Sequence, residues 1–82
     1  MIAKKATTQD KVISLISFKL NVPSSRINPY THLEDDLHLD DFDLMLLIAE
    51  LESGFNIYLS PEEVKAIKTV QDASFFFQKY AA

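Results

Sequence analysis

The chain contains no cysteine and no tryptophan, one glycine and three prolines in 82 residues. Without cysteine there are no disulfides, no thiolate metal ligands and no cysteine nucleophile, and nothing can be read about the redox compartment. The single glycine, Gly54, excludes a glycine-rich loop that would cradle a phosphate. Long apolar runs are missing as well. The longest, LMLLIA at residues 44–49, is far too short to span a bilayer. The N-terminal MIAKKATTQDK has two lysines but no apolar stretch behind them, so it does not read as a secretory signal, and a cytoplasmic protein is expected. Basic residues are the minority: eight Lys and Arg against twelve Asp and Glu leave a net charge of −4. The cations are scattered, which argues against nucleic acid as a partner, because phosphate binding needs a basic face.

What is present is enough for one core. Apolar residues make up 48% of the chain, normal for a globular protein, and the length allows a single domain, 1–82, with its core between about residues 8 and 80. Strand alternation is absent and helical periodicity recurs. A first helix opens near Thr7 or Thr8, with Asp10 in its first turn. Val12, Ile13, Ile16 and Leu20 form its apolar stripe, with Leu15 beside it. Pro23 in NVPSS forces Val22 out of helical geometry. A long connection over residues 23–40 follows, with Ile27, Tyr30, Leu33 and Leu37 as expected anchors. A second helix is predicted over residues 41–53, with Gly54 as its left-handed stop. SPEEVKAI opens a short third helix, in which Ser60 caps, Pro61 takes the first position and Glu63 completes a capping box. Thr69 and Asp72 repeat that box ahead of a last helix carrying Val70, Ala73, Phe76, Phe77 and Tyr80. Phe76, Phe77 and Tyr80 are expected to fill the interior. FFF at 75–77 spans adjacent faces, so at least one ring belongs at the rim or outside. The fold class is all-α: a small three- or four-helix bundle with a long first loop and a short third helix.

No catalytic constellation emerges. His32 and His38 are six apart, with no third ligand at a recognisable offset, and read as solvated loop residues. Acids concentrate instead: Glu34, Asp35, Asp36, Asp40, Asp41 and Asp43 fall within ten residues. The run fails the calcium-loop pattern, since counting from Asp36 the position that needs glycine holds Asp41. Loose divalent-cation binding through Asp36, His38, Asp40 and Asp43 is a lesser reading; no dedicated metal site and no enzymatic activity are expected. A cluster of this charge steers basic partners.

The order of parts, with DLHLDDFD at the start of the second helix and PEEVKAIKTVQDA leading into the last, resembles the acyl carrier protein family over almost the whole chain, from about Thr8 to Tyr80. Asp36-Leu37 is similar to the Asp-Leu ahead of that family's Gly-any-Asp-Ser-Leu signature, Asp40 to the signature aspartate and Asp43 to a following acid; Leu47, Leu51 and Phe55 are similar to its core residues. The resemblance implies a bundle whose second helix carries a serine-linked 4'-phosphopantetheine and docks on enzymes of acyl-chain biosynthesis or transfer. The departures fall at the chemistry. His38 stands at the glycine, Asp41 at the attachment serine and Phe42 at the leucine.

A carboxylate cannot take the prosthetic group as a phosphodiester, so no cofactor is expected on the chain as written. Asp41 also has a structural reading, as an acid at or near the helix cap worth about 0.5–2 kcal/mol against alanine. The second helix adds a different signal. Leu47, Ile48 and Leu51 face inward with Leu44 alongside, which leaves Met45 and Leu46 with too little core to occupy; Leu46 stands where the family commonly has an acid, and acids return at Glu50. The surface expected to bind partners is Asp36, Asp40, Phe42, Asp43, Met45, Leu46 and Glu50, with weak self-association as a second use of the apolar residues. Two functions are open. One is a carrier-fold protein that no longer carries and acts as a non-catalytic docking or regulatory partner in fatty acid or polyketide-type metabolism. The other is a genuine acyl carrier whose serine at position 41 is replaced by Asp, giving a permanent apo form.

Overall fold

The computed structural model describes residues 7–81. Four α-helices follow in order: α1 Thr8–Leu20, α2 Asp41–Phe55, α3 Pro61–Ala66 and α4 Val70–Tyr80. One 3₁₀ turn, Ser24–Arg26, interrupts the long α1–α2 loop. None of these helices is long and apolar enough to cross a membrane.

The starts follow the expected caps. Thr7 and Asp10 form a capping box on α1, Ser60 and Glu63 on α3, and Thr69 and Asp72 on α4. In each, a hydroxyl accepts from an amide that has no helical partner. The helix ends differ from expectation. α1 ends at Leu20, and its cap Asn21, two residues before Pro23, turns left-handed at φ 55°. Gly54 does not stop α2; the helix runs on to Phe55, and Asn56 takes the left-handed cap at φ 55°. Asparagine tolerates that conformation better than most residues, so both ends read correctly only if Asn is weighed beside Gly. Gly54 serves contact instead: a Cβ placed there would meet Leu15 Cδ1 at 2.8 Å, so its bare backbone admits the α1 side chain.

The core joins three helices and the loop. α1 packs against both α4 and α2. Val12, Ile16, Leu47, Leu51, Val70, Ala73 and Phe77 are buried, together with Ile27 and Leu33 from the loop. Phe55 stacks on Phe77, with ring centroids 4.8 Å apart. The aromatic run divides as expected: Phe77 is fully buried, Phe76 half-buried and Phe75 exposed. Tyr80 does not fill the interior. It is 46% exposed, and its hydroxyl donates to Glu63 at the start of α3, because a phenol at the last turn reaches a charged acceptor more readily than the closed core. Tyr30 also fails as an anchor, at 79% exposed; the adjacent Thr31 is the buried residue.

The long loop is held by backbone. Leu33 N–H donates to the Lys68 carbonyl at 2.9 Å. The Val70 and Gln71 amides, the orphans of the first turn of α4, donate to the carbonyls of Thr31 and Pro29 at 3.1 and 2.8 Å. The loop therefore caps α4 while covering the core, and its end delivers Glu34 and residues 38–41 to the head of α2.

Candidate functional site

The head of α2 is built on Asp40. Its backbone is extended, and its carboxylate accepts the Asp43 amide at 2.8 Å, so Asp40 is the cap. Asp41 is not. It occupies the first helical position with its side chain exposed, because the chain needs the extended residue one place earlier to leave the loop. Its negative charge still complements the positive end of the helix dipole. Just before it, His38 takes a left-handed φ of 56°. That is the position of the signature glycine in the resemblance, and the backbone there keeps a geometry that glycine adopts freely and histidine only with strain.

Asp41 is not solitary. Glu34, which arrives from the loop, lines one cleft with it. Hydrogen bonding toward Asp41, then desolvation and the Asp41 charge, hold the Glu34 carboxyl above the ordinary carboxylate range; Asp35 adds to the effect and Lys68 opposes it. Glu34 and Asp41 line this cleft of about 370 Å³ between α2 and α3, together with Leu44, Met45, Ile48, Val64 and Ile67 and the side chains of Lys65 and Lys68. The cleft adjoins a second, more apolar hollow of about 480 Å³ lined by Met45, Ile48, Ala49, Leu59, Pro61 and Val64. Such volumes lie within the range of small-molecule sites. The α3 wall is light: none of its six residues is buried. It is held by its own capping box, by the Tyr80 hydroxyl on Glu63, and by the Leu59 amide, which donates to Glu52 of α2 at 2.8 Å.

The residues expected to bind partners share one exposed region. Phe42, Met45 and Leu46 are 66%, 64% and 47% exposed, on one face of α2, with Asp43 and Glu50 also exposed beside them. Glu50 lies 3.5 Å from the Lys19 ammonium of α1. Asp40 and Asp36 are engaged locally: Asp36 accepts the His32 amide at 2.7 Å within the loop. His32 Nδ1 accepts the Asp35 amide at 3.1 Å and lies 3.6 Å from the Asp35 carboxylate. Asp36, His38, Asp40 and Asp43 do not converge. Among the described residues no three His, Cys, Asp or Glu side chains come together in a group that could hold a metal ion.

Sequence reasoning missed Glu34 as a neighbour of Asp41, and with it Lys65 and Lys68 as further lining of the cleft. Glu34 and Asp41 are seven residues apart with a left-handed turn between them, and no periodicity brings them together. Their presence in one acid run was the only signal.

Comparison with known proteins agrees with this architecture. The family described as phosphopantetheine attachment site matches residues 10–74. The chain is 38% identical over 69 residues to an acyl carrier protein of Chlorobium phaeovibrioides, spanning 84% of this chain and 88% of that one. An acyl carrier protein of Solidesulfovibrio magneticus is 37% identical over 70 residues, covering 85% and 90%. Among solved structures, the acyl carrier protein of Enterococcus faecalis superposes with a TM-score of 0.72 at 26% identity, over 88% of this chain and 91% of that one. With the family matched across both the core and the head of α2, the chain belongs to the acyl carrier protein family.

Proposed function

We propose that this acyl-carrier-type domain is not loaded with 4'-phosphopantetheine and works as a non-catalytic docking or regulatory partner of enzymes that build or transfer acyl chains. The observation that carries the reading is the carboxyl of Asp41. A phosphodiester link to the prosthetic group needs a hydroxyl that attacks coenzyme A, and residue 41, at the head of α2 where the family attaches the group, offers none. The family's cofactor therefore does not fit this residue.

No other serine takes its place. Ser14 and Ser17 lie within α1, the Ser17 hydroxyl donating to the Val22 carbonyl; Ser24 and Ser25 lie in the 3₁₀ turn, and Ser53 is in the last turns of α2. The Ser60 hydroxyl accepts from the Glu63 amide as the cap of α3, and Ser74 is buried with its hydroxyl donating to the Val70 carbonyl. Docking draws support from the exposed stripe of Phe42, Met45 and Leu46 bordered by Asp41, Asp43 and Glu50. A basic surface with an apolar centre complements it. The same stripe is the surface for weak self-association.

One observation favours a second reading, a carrier held permanently in its apo form. The family match runs unbroken across the head of α2, and the relatives are acyl carrier proteins. One experiment separates the two. The native chain and Asp41→Ser are incubated with coenzyme A and a broad-specificity phosphopantetheinyl transferase, and intact mass is read. An unmodified native chain is expected. If Asp41→Ser gains the prosthetic group, residue 41 alone blocks loading and the apo-carrier reading is favoured. If it does not, the surface has diverged and the docking reading is favoured. A native chain that gains the mass overturns both.

A further inference from the structure

We infer that the outer face of α2 pairs with the same face of a second copy of this chain, the two α2 helices running antiparallel about a two-fold axis. The pairing rests on the reading of the exposed stripe as a contact surface and names what covers it; it does not depend on whether residue 41 can be loaded.

α2 has two faces. Leu47, Ile48 and Leu51 are buried against the bundle. On the far side Phe42, Leu46, Ala49 and Ser53 follow at i, i+4, i+7 and i+11, the spacing that lines residues up along one side of a helix, and all four are exposed. Size is graded along this side. Its N-terminal half is bulky, with Phe42, Met45 and Leu46, and its C-terminal half is small, with Ala49, Ser53 and Gly54. Such a face is complementary to itself turned end for end. With the two-fold axis midway between Leu46 and Ala49, Leu46 lies on Ala49 of the second copy and Phe42 on its Ser53, and symmetry repeats both pairs. A parallel pair would instead set Phe42 on Phe42 and leave the small residues facing each other across a gap.

Charge selects the same direction. Asp40, Asp41 and Asp43 crowd the N-terminal end of α2, so a parallel pair would bring two acidic heads together. The opposite end holds a cation, the Lys11 ammonium, 4.7 Å from the centroid of the Phe55 ring. Antiparallel pairing brings that ammonium level with the acidic head of the second copy and sets the two helix dipoles head to tail. At mid-stripe Glu50 is already met by Lys19 at 3.5 Å, which tempers repulsion between the two copies there. Three turns of one helix bury less than the roughly 1,200 Å² of a stable complex, so the pair is weak and reversible. It also covers the stripe, so a paired copy cannot dock through it.

The chain has no cysteine, so an introduced thiol reports a single position. Phe42→Cys and Ser53→Cys are prepared separately, mixed in equal amounts and mildly oxidised, and intact mass distinguishes the mixed disulfide from either homodimer. Eleven residues of helix hold positions 42 and 53 about 16 Å apart. In the antiparallel pair each variant alone is therefore out of reach of itself. The mixed disulfide should exceed both homodimers together at least about five-fold, since a disulfide closes only over Cα separations below about 7 Å. An excess of homodimers, the equal split of random collision, or no disulfide at all overturns the pairing. Should Phe42→Cys lose helicity by circular dichroism, sedimentation of charge variants decides. Lys11→Glu and Asp43→Lys should each weaken the dimer at least about three-fold, and the double variant should recover native affinity. A double variant no tighter than either single one overturns the pairing, as does a native chain that stays monomeric. If the native chain dimerises but fails the disulfide or charge test, only this geometry falls and self-association stands; a monomeric native chain removes both.

Discussion

The two ends of α2 meet opposite fates, and the end richer in apolar residues is the one left more open. At its C-terminal end Leu51 is fully buried, Phe55 stacks on Phe77 of α4, and the bare backbone of Gly54 receives Leu15 of α1. At its N-terminal end Phe42, Met45 and Leu46 are exposed, and the inward-facing Leu44 and Ile48 look onto a cleft. The difference lies in what each end packs against. Two long helices cover one end; a six-residue helix with no buried residue covers the other. Composition of a helix thus sets how much apolar surface it owns, while the neighbours decide how much of it is removed from water. One end holds the molecule together. The other is left available for contact.

The strongest way to break this comparison is at the packed end. Phe77→Ala removes a fully buried ring that also supports Phe55, and a loss of about 3–5 kcal/mol is expected by chemical denaturation. A loss below about 1 kcal/mol would mean that the two ends are equally loose. Next in size is His38→Gly at the open end. Relief of the left-handed backbone at φ 56° should raise stability by up to about 1 kcal/mol, seen as a higher midpoint at unchanged slope.

A smaller effect is expected from the tie between α4 and α3. The Tyr80 hydroxyl and the Ser60 amide hold the Glu63 carboxyl below its ordinary value, and the same bond raises the Tyr80 phenol. The lowered Glu63 contributes stability that is present above its unfolded value and is lost as pH falls through the folded one. The raised Tyr80 contributes stability below its unfolded value that is lost as pH rises through the folded one. Tyr80→Phe should therefore reduce the acid limb of a Tm-against-pH curve, leaving the part due to Ser60, and abolish the alkaline limb due to Tyr80. A curve that superposes on that of the native protein would show that the tie does not hold in solution.

The smallest stability effect sharpens the comparison at the exposed stripe. Leu46→Glu should change the denaturation midpoint by less than about 0.5 kcal/mol, leave helicity intact, and weaken partner capture or self-association measured by sedimentation. If sedimentation and capture are unchanged, the stripe is not a docking face.

Much of this molecule is determined within short stretches of chain. The three capping boxes, the short α3 led by Pro61 and the inward stripe of Leu47, Ile48 and Leu51 were legible because each depends on residues three or four apart, the spacing at which a helix brings side chains and amides together. The exposure of Met45 and Leu46 also followed from the sequence, since one helix stripe cannot turn every apolar residue inward. The family resemblance rested on the same local features. What only the tertiary structure decided were matters of several segments at once. Asp40 rather than Asp41 caps α2, because the loop must stay extended up to that residue. Gly54 is a point of contact rather than a stop, because Leu15 of another helix lies against it. Glu34 and Asp41 line one cleft because buried Leu33 and the Lys68 carbonyl pin the loop beside it. Periodicity carries information over one or two turns; contacts between a pinned loop and a helix head depend on where the core draws both, which no single segment contains.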